Sequence, residues 1–212
     1  MPKAEIHKLL EGKWVDGTRP KDIFSMHVMK NPSDYINDII DGLKSENKRV
    51  QSGCAEIASL LSDMQPELLY PYLDLFLENL NAKEPVLRWE AVCSLGNLVK
   101  IDKDQKIRTA VERIAGFLDD ISIVLQAHSV RALTKIAKAF PDLTPRIFDR
   151  FLASKDKFPG NRIGFLIEAM EIFVVDEKMV PRIRKFVAPY IKSDIRPVAL
   201  KAKKVLRLIA ES

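Results

Sequence analysis

The side chains that could do chemistry are few and scattered. His7, His27 and His128 are the only histidines in 212 residues, and no two stand at H-x-x-x-H or H-E-x-x-H spacing. Zincin-type hydrolysis needs such a pair on one helix face with a glutamate between, so that chemistry has no support. Cys54 and Cys93 lie inside apolar helical patterns. They read as reduced thiols in small niches, since two cysteines make neither a disulfide scaffold nor a zinc site. No Walker A loop, Rossmann glycine pattern or G-x-S-x-G elbow occurs. The nearest glycine cluster, KFPGNRIG around Gly160, has a spacing that fits no phosphate loop and reads as a link between helices. No cofactor, metal or catalytic residue is implied, and a non-catalytic protein is expected.

The composition is that of an ordinary folded chain. Apolar residues make up 47% and charged residues 30% of the sequence, which argues against disorder. Leu, Ile, Ala, Lys and Glu dominate, so helix is favoured. No apolar run reaches 18 residues and no apolar h-region stands near the start. Neither a membrane span nor a signal peptide is expected, and a cytoplasmic setting is the default. The net charge of +5 is unevenly placed: residues 178–212 hold 10 Lys or Arg against Asp194 and Glu211. Such asymmetry suits an acidic protein, nucleic acid or an anionic surface, or else a solvated end.

The elements that must position any site are helices in pairs. Apolar residues at spacings of three and four predict first helices at 33–43, 66–80, 103–118, 143–153 and 178–192. Second helices are predicted at 48–61, 85–100, 122–140, 161–175 and 195–211. Short polar links such as KSEN, NAKE and KSD imply antiparallel neighbours. Ala91, Leu95 and Leu98 slide onto Gly53, Ile57 and Leu60, then Ser129, Leu133 and Ile136, then Leu166, Met170 and Phe173, then Ala202, Leu206 and Ile209. The offsets are 38, 38, 37 and 36 residues. Pro32, Pro71, Pro145 and Pro181 form a second ladder, spaced 39, 74 and 36. Proline costs least in a first helical turn, so the ladder marks where first helices start or bend. A two-helix period of this length means a helical solenoid. Small residues such as Ala91, Ser94 and Gly96 then let a central helix approach neighbours on several sides.

The stretch Glu84–Leu98, EPVLRWEAVCSLGNL, resembles the second helix of a HEAT repeat. Leu87, Arg88, Ala91, Leu95, Gly96 and Leu98 stand at the family's places, and Glu84 lies where such repeats often pair an acid with the arginine. The other copies match the apolar places only; Val50, Gln126, Ile163 and Ala199 replace the arginine. The resemblance covers about residues 33–211. It implies an all-α, right-handed α-α superhelix of about five HEAT-like hairpins, at 33–62, 66–100, 103–140, 141–175 and 178–211. Residues 1–32 fall outside the period and are expected to form an irregular N-terminal cap, with short helices at 3–10 and 23–29.

In HEAT-like solenoids the second helices line the concave wall. The same columns turn Trp89, Cys93, Gly96, Asn97 and Lys100 outward, with Gln51, Ala55 and Ser59 in the preceding copy. Trp89 reads either as a partner anchor or as an edge residue half covered by the next repeat. Arg131, Lys135 and Lys138 form a basic strip, and Lys204 and Arg207 a terminal one; Glu168 and Glu171 interrupt the path between them. His128 reads as packed or half-buried. The resemblance implies a protein- or peptide-binding scaffold, an acidic partner included, with Trp89, Asn97, Arg131, Lys135, Lys138, Lys204 and Arg207 as candidate contacts. Nucleic-acid binding is the alternative, with HEAT-like DNA glycosylase chemistry as its enzymatic form. That form has Trp89 and either Glu90 or Glu168 to offer, but no matching motif. HEAT-like iron hydroxylases use His–Glu pairs, and no histidine here precedes a glutamate.

Overall fold

The computed structural model describes residues 5–211, so the expected helix start at Lys3 lies outside the described residues. The chain divides into two compact units, Met1–Ala110 and Val111–Ser212. The first holds α1 (Glu5–Glu11), α2 (Pro20–Ile23), α3 (Pro32–Leu43), α4 (Lys48–Met64), α5 (Pro66–Leu69), α6 (Leu73–Asn79) and α7 (Pro85–Leu98). The second holds α8 (Val111–Gly116), α9 (Ile123–Ala139), α10 (Thr144–Ala153), α11 (Ile163–Ala169), α12 (Val180–Val187) and α13 (Arg196–Glu211). No strand occurs among the described residues.

Three of the second helices are long, but the fourth, expected at 161–175, is a 3-10 turn at Gly160–Arg162, then α11, then a 3-10 turn at Met170–Ile172. α4 and α9 run 17 residues each and α13 runs 16. The expected helix at 66–80 is α5, a 3-10 turn at Tyr70–Tyr72 and α6. Pro71 sits in that turn, because proline has no N–H for an i−4 bond. The expected helix at 103–118 is a 3-10 turn at Lys106–Ala110, then α8, then Phe117–Asp119. The fifth first helix ends early, as Ala188–Lys192 tightens to 3-10 around Pro189. Caps set the second-helix starts. The Asn47 side chain accepts from Arg49 N at 2.9 Å and Val50 N at 3.3 Å, and Ser122 Oγ accepts from Leu125 N at 3.3 Å.

In the first unit α3 packs on α4, and α4 packs along α7, which also meets α5 and α6. α7 is apolar on nearly every side, burying Leu87, Ala91, Val92, Ser94, Leu95 and Leu98, as a helix enclosed by others must. The N-terminal α1 lies on α3 and α4 with Ile6 and Leu10 fully buried. Two glycines permit that approach. A Cβ on Gly53 would collide with Leu10, and one on Gly42 would meet Cys54 Sγ, with Cys54 Cβ and His7 Nε2 each 2.9 Å away. Overpacking of this kind costs about 1–3 kcal/mol, more than the roughly 1 kcal/mol of helix propensity that alanine adds. Gly42→Ala is therefore expected to lower the thermal midpoint, as read by circular dichroism. Cys54 is buried beside Gly42, and its thiol is pushed up to about 12 by burial and the nearby Asp38 charge, which leaves it unreactive.

In the second unit α9 packs on α8, α10 and α11, and α13 on α11 and α12. Its core is aromatic: Phe148, Phe151, Phe158 and Phe173 are at most 1% exposed. Phe173 meets Phe148 and Phe151 edge-on, with ring centroids 5.3 and 6.1 Å apart. Gln126, at the place of the family's arginine, is buried and donates to the Leu118 and Lys157 carbonyls at 3.0 and 3.2 Å. Exposed ion pairs step from one hairpin to the next: Glu112 with Arg146 (2.9 Å), Asp119 with Arg150, Asp149 with Arg182 (2.7 Å), Glu168 with Lys201 and Glu171 with Lys204 (2.6 Å each). In each of these the acid precedes the base by 31–34 residues. Asp74 with Lys106, 3.0 Å apart in the first unit, follows the same order. Such pairs are worth at most about 1 kcal/mol each, but like charges in a slipped register would repel.

Candidate binding faces of the second helices

The part-exposed row of α7 consists of Val86, Trp89, Glu90 and Cys93, at helical spacing, and exposed Lys100 continues it in the 3-10 turn Val99–Ile101. Beside it on α4 stand Glu56, Ser59 and Asp63. The apolar alignment at an offset of 38 placed Gln51, Ala55 and Ser59 there instead. The caps correct it: Asn47 and Glu84 are 37 residues apart, which sets Glu56 opposite Cys93 and Asp63 opposite Lys100. Ala55 is accordingly 3% exposed, and Gln51 turns to donate to the Leu43 carbonyl at 3.1 Å.

Trp89 is half-buried, and its indole Nε1 donates to Glu90 Oε1 at 3.1 Å. Glu90 is held above the usual carboxylate range chiefly by burial, with the Glu56 charge adding to it; hydrogen bonds from Ser59 and Trp89 act the other way. Glu56 is raised as well, by burial and Asp22 against the pull of Lys21. The face is thus aromatic and carboxylate-rich, with two acids that bind protons more readily than ordinary glutamates. A carboxyl raised on folding stabilises the fold fully below the unfolded glutamate range, about 4.3. That contribution is lost as pH rises through the raised value. Glu90→Gln keeps the oxygen that accepts from Trp89, so it is expected to stabilise the protein near neutral pH. Its advantage over wild type shrinks toward pH 4, as measured by thermal midpoints across that interval.

One expected contact, Asn97, is placed otherwise, and two others, Lys204 and Arg207, stay exposed but form ion pairs. Asn97 and Gly96 do not turn outward. Asn97 is 9% exposed and donates to Ser59 O at 3.2 Å and Ser62 Oγ at 2.9 Å, so it ties α7 to α4. Lys204 is engaged by Glu171, and Arg207 lies 3.8 Å from Glu211 on its own helix. Glu168 and Glu171 therefore do more than interrupt a basic path, since they hold the lysines of the next helix. Glu84 reaches Lys48 at 3.7 Å, while Arg88 Nε is buried with no hydrogen-bond partner.

Arg131, Lys135 and Lys138 are exposed on α9 in one row. Half-buried His128 lies a turn before, held below the usual imidazole range by burial and then by Arg131. Among the described residues no three His, Cys, Asp or Glu side chains converge to hold a metal ion. No helix among them is long and apolar enough to cross a membrane. The sequence signals for Glu56 and Asp63 were present, but one residue out of register.

No family model matches the chain. No curated protein matches it in sequence. Its fold is similar to solved ones. An engineered protein from the Northeast Structural Genomics Consortium aligns at a TM-score of 0.65, over 99% of this chain and 100% of that one, with 15% identity. A designed armadillo repeat protein aligns at 0.64 over 97% and 98%, with 13% identity. A second engineered protein from the same consortium gives 0.61 over 98% and 97%, with 16% identity. The architecture is thus an all-α solenoid of paired helices in the armadillo and HEAT manner, and the likeness speaks for fold alone.

Proposed function

We propose that this protein is a non-catalytic scaffold whose second-helix faces bind protein segments. The observation that carries the reading is the half-buried Trp89, pinned by Glu90 beside Glu56 and flanked by small or polar side chains. A tryptophan fixed in this way offers much contact area at little entropic cost. The carboxylates around it favour a cationic or hydrogen-bond-donating side chain over the acidic one that charge alone suggested. The exposed Arg131, Lys135 and Lys138 row gives the second unit's face the opposite preference, for acidic side chains. Complementary charge of this kind sets orientation and encounter rate more than affinity.

Nucleic-acid binding is disfavoured by the pairing of Lys201 and Lys204 with Glu168 and Glu171, since duplex binding rests on many phosphate contacts in line. The deciding experiment is capture of partners by wild type, Trp89→Ala and Arg131→Glu/Lys135→Glu. The expected result is loss of one set of bound proteins with Trp89→Ala, by about tenfold or more in affinity. Identical capture by all three would refute the second-helix sites. Binding of oligonucleotides that falls steeply with salt would favour the alternative.

A further inference from the structure

The first-helix side of the second unit carries a separate open cleft of about 430 Å³. Its walls come from three places: Leu152 at the end of α10, Lys155 just after it, and Arg182, Lys185, Phe186, Pro189 and Tyr190 from α12 and the 3-10 turn that follows. The floor is apolar and shaped by two rings, with Phe186 and Tyr190 packed edge-on, centroids 5.8 Å apart. Both rings are only part-buried, so aromatic surface stays open to an occupant.

The charges at the rim are unequal in freedom. Arg182 is fixed: it pairs with Asp149 at 2.7 Å and its guanidinium lies 4.9 Å from the Phe148 ring centroid. Lys155 and Lys185 are exposed, and among the described residues neither forms an ion pair. One acid counts against them. Asp156 is close enough to bear on the Tyr190 phenol, which burial first and this charge second push upward. With Arg182 neutralised by Asp149, two lysines face one aspartate. The cleft therefore suits a ligand of low negative charge with an apolar body, and suits a polyphosphate or nucleic-acid strand poorly. The second unit as a whole holds 19 Lys or Arg against 12 Asp or Glu, while the first holds 15 against 17. That charge would draw an acidic segment toward this side.

We infer that this cleft is a docking site for an acidic peptide segment, with an aromatic or aliphatic side chain seated on Phe186 and Tyr190 and flanking carboxylates held by Lys155 and Lys185. Volume and lining agree with this: a few hundred cubic ångströms take one or two large side chains, and convergent cations fix their orientation. The site is independent of the Trp89 face.

The test uses the full chain and a fluorescein-labelled nonapeptide, one phenylalanine between two glutamates in a Gly/Ser background, read by fluorescence anisotropy. Saturable binding is expected for wild type and unchanged for Trp89→Ala. Lys155→Glu/Lys185→Glu should weaken it at least tenfold, and Lys155→Gln/Lys185→Gln by a smaller factor. These lysines are exposed, so the variants should keep the wild-type melting curve, which is recorded alongside. The inference is overturned if the charge-reversed protein binds as wild type, or if serine in place of the phenylalanine leaves affinity unchanged. It is equally overturned if Trp89→Ala abolishes binding, which would move the peptide to the first unit. A single-stranded oligonucleotide that displaces the peptide at lower concentration than unlabelled peptide would assign the cleft to nucleic acid instead.

Discussion

Phe173→Ala is expected to destabilise the second unit by about 4 kcal/mol, the largest effect of any single truncation considered. Removing a fully buried phenylalanine costs about 3–5 kcal/mol through lost transfer energy and the cavity left behind. Two edge-on ring contacts add roughly 0.5–1.5 kcal/mol each beyond area. Phe173 has no exposed surface and joins Phe148 of α10 to Phe151 one turn on. Few aliphatic neighbours can close such a gap, because these rings are themselves held by packing. Since small domains are stable by only about 5–15 kcal/mol, the variant should unfold at markedly lower urea concentration. Both tryptophans, Trp14 and Trp89, belong to the first unit. Far-UV circular dichroism is therefore the proper probe, with Phe173→Leu as the milder control. A loss below about 1 kcal/mol would mean that the aromatic cluster is not the centre of that unit's core.

The corresponding weak point of the first unit is polar. Asp102 is 5% exposed and accepts three hydrogen bonds: Tyr70 Oη at 3.0 Å, Lys106 N at 3.1 Å and Ile107 N at 2.8 Å. Two of these donors are backbone groups opening the 3-10 turn at Lys106–Ala110, and the third belongs to the turn before α6. The carboxylate thereby holds a loop in which Gln105 takes a φ of 56°, a left-handed conformation that costs a non-glycine residue about 1–2 kcal/mol. Asp102→Ala leaves donors unsatisfied and frees the loop, so about 3 kcal/mol should be lost. Asp102→Asn keeps one acceptor oxygen and should lose less than half of that. Gln105→Gly in the alanine background should restore a measurable part, because glycine adopts positive φ freely. Urea titrations of the three variants check the order. Equal stability of Asp102→Ala and wild type would contradict the loop's dependence on this carboxylate.

The paired helices were legible because a buried helix face repeats its apolar residues at 3.6-residue spacing, and short polar links leave antiparallel packing as the outcome. Ala91, Leu95, Leu98 and Ser129, Leu133, Ile136 are all buried as their columns required. Breaks in the first helices were only half legible: Pro71 of the proline ladder marked Tyr70–Tyr72, but nothing in that ladder announced the 3-10 turns at Lys106–Ala110 and Ala188–Lys192. The binding face suffered from one residue of register. On a helix that is a rotation of about 100°, enough to bring Ala55 into view and hide Glu56. Apolar columns tolerate such a slip, since Gly53 and Cys54 are both buried; the helix starts at Asn47 and Glu84 do not. Asp102 carried no pattern at all, because an isolated acid in a link resembles any solvated residue until its donors are seen. The cleft at Lys155 and Lys185 was not legible for another reason: its lysines stand 30 residues apart, one in the link after a first helix and one on the next first helix.

The ordered ion pairs bear on how such a chain could grow. Where each hairpin offers carboxylates forward and receives them from behind, a copy inserted in tandem meets compatible charge on both sides. Duplication of an internal hairpin of the second unit would therefore be electrostatically silent, whereas inversion of one would set acid against acid.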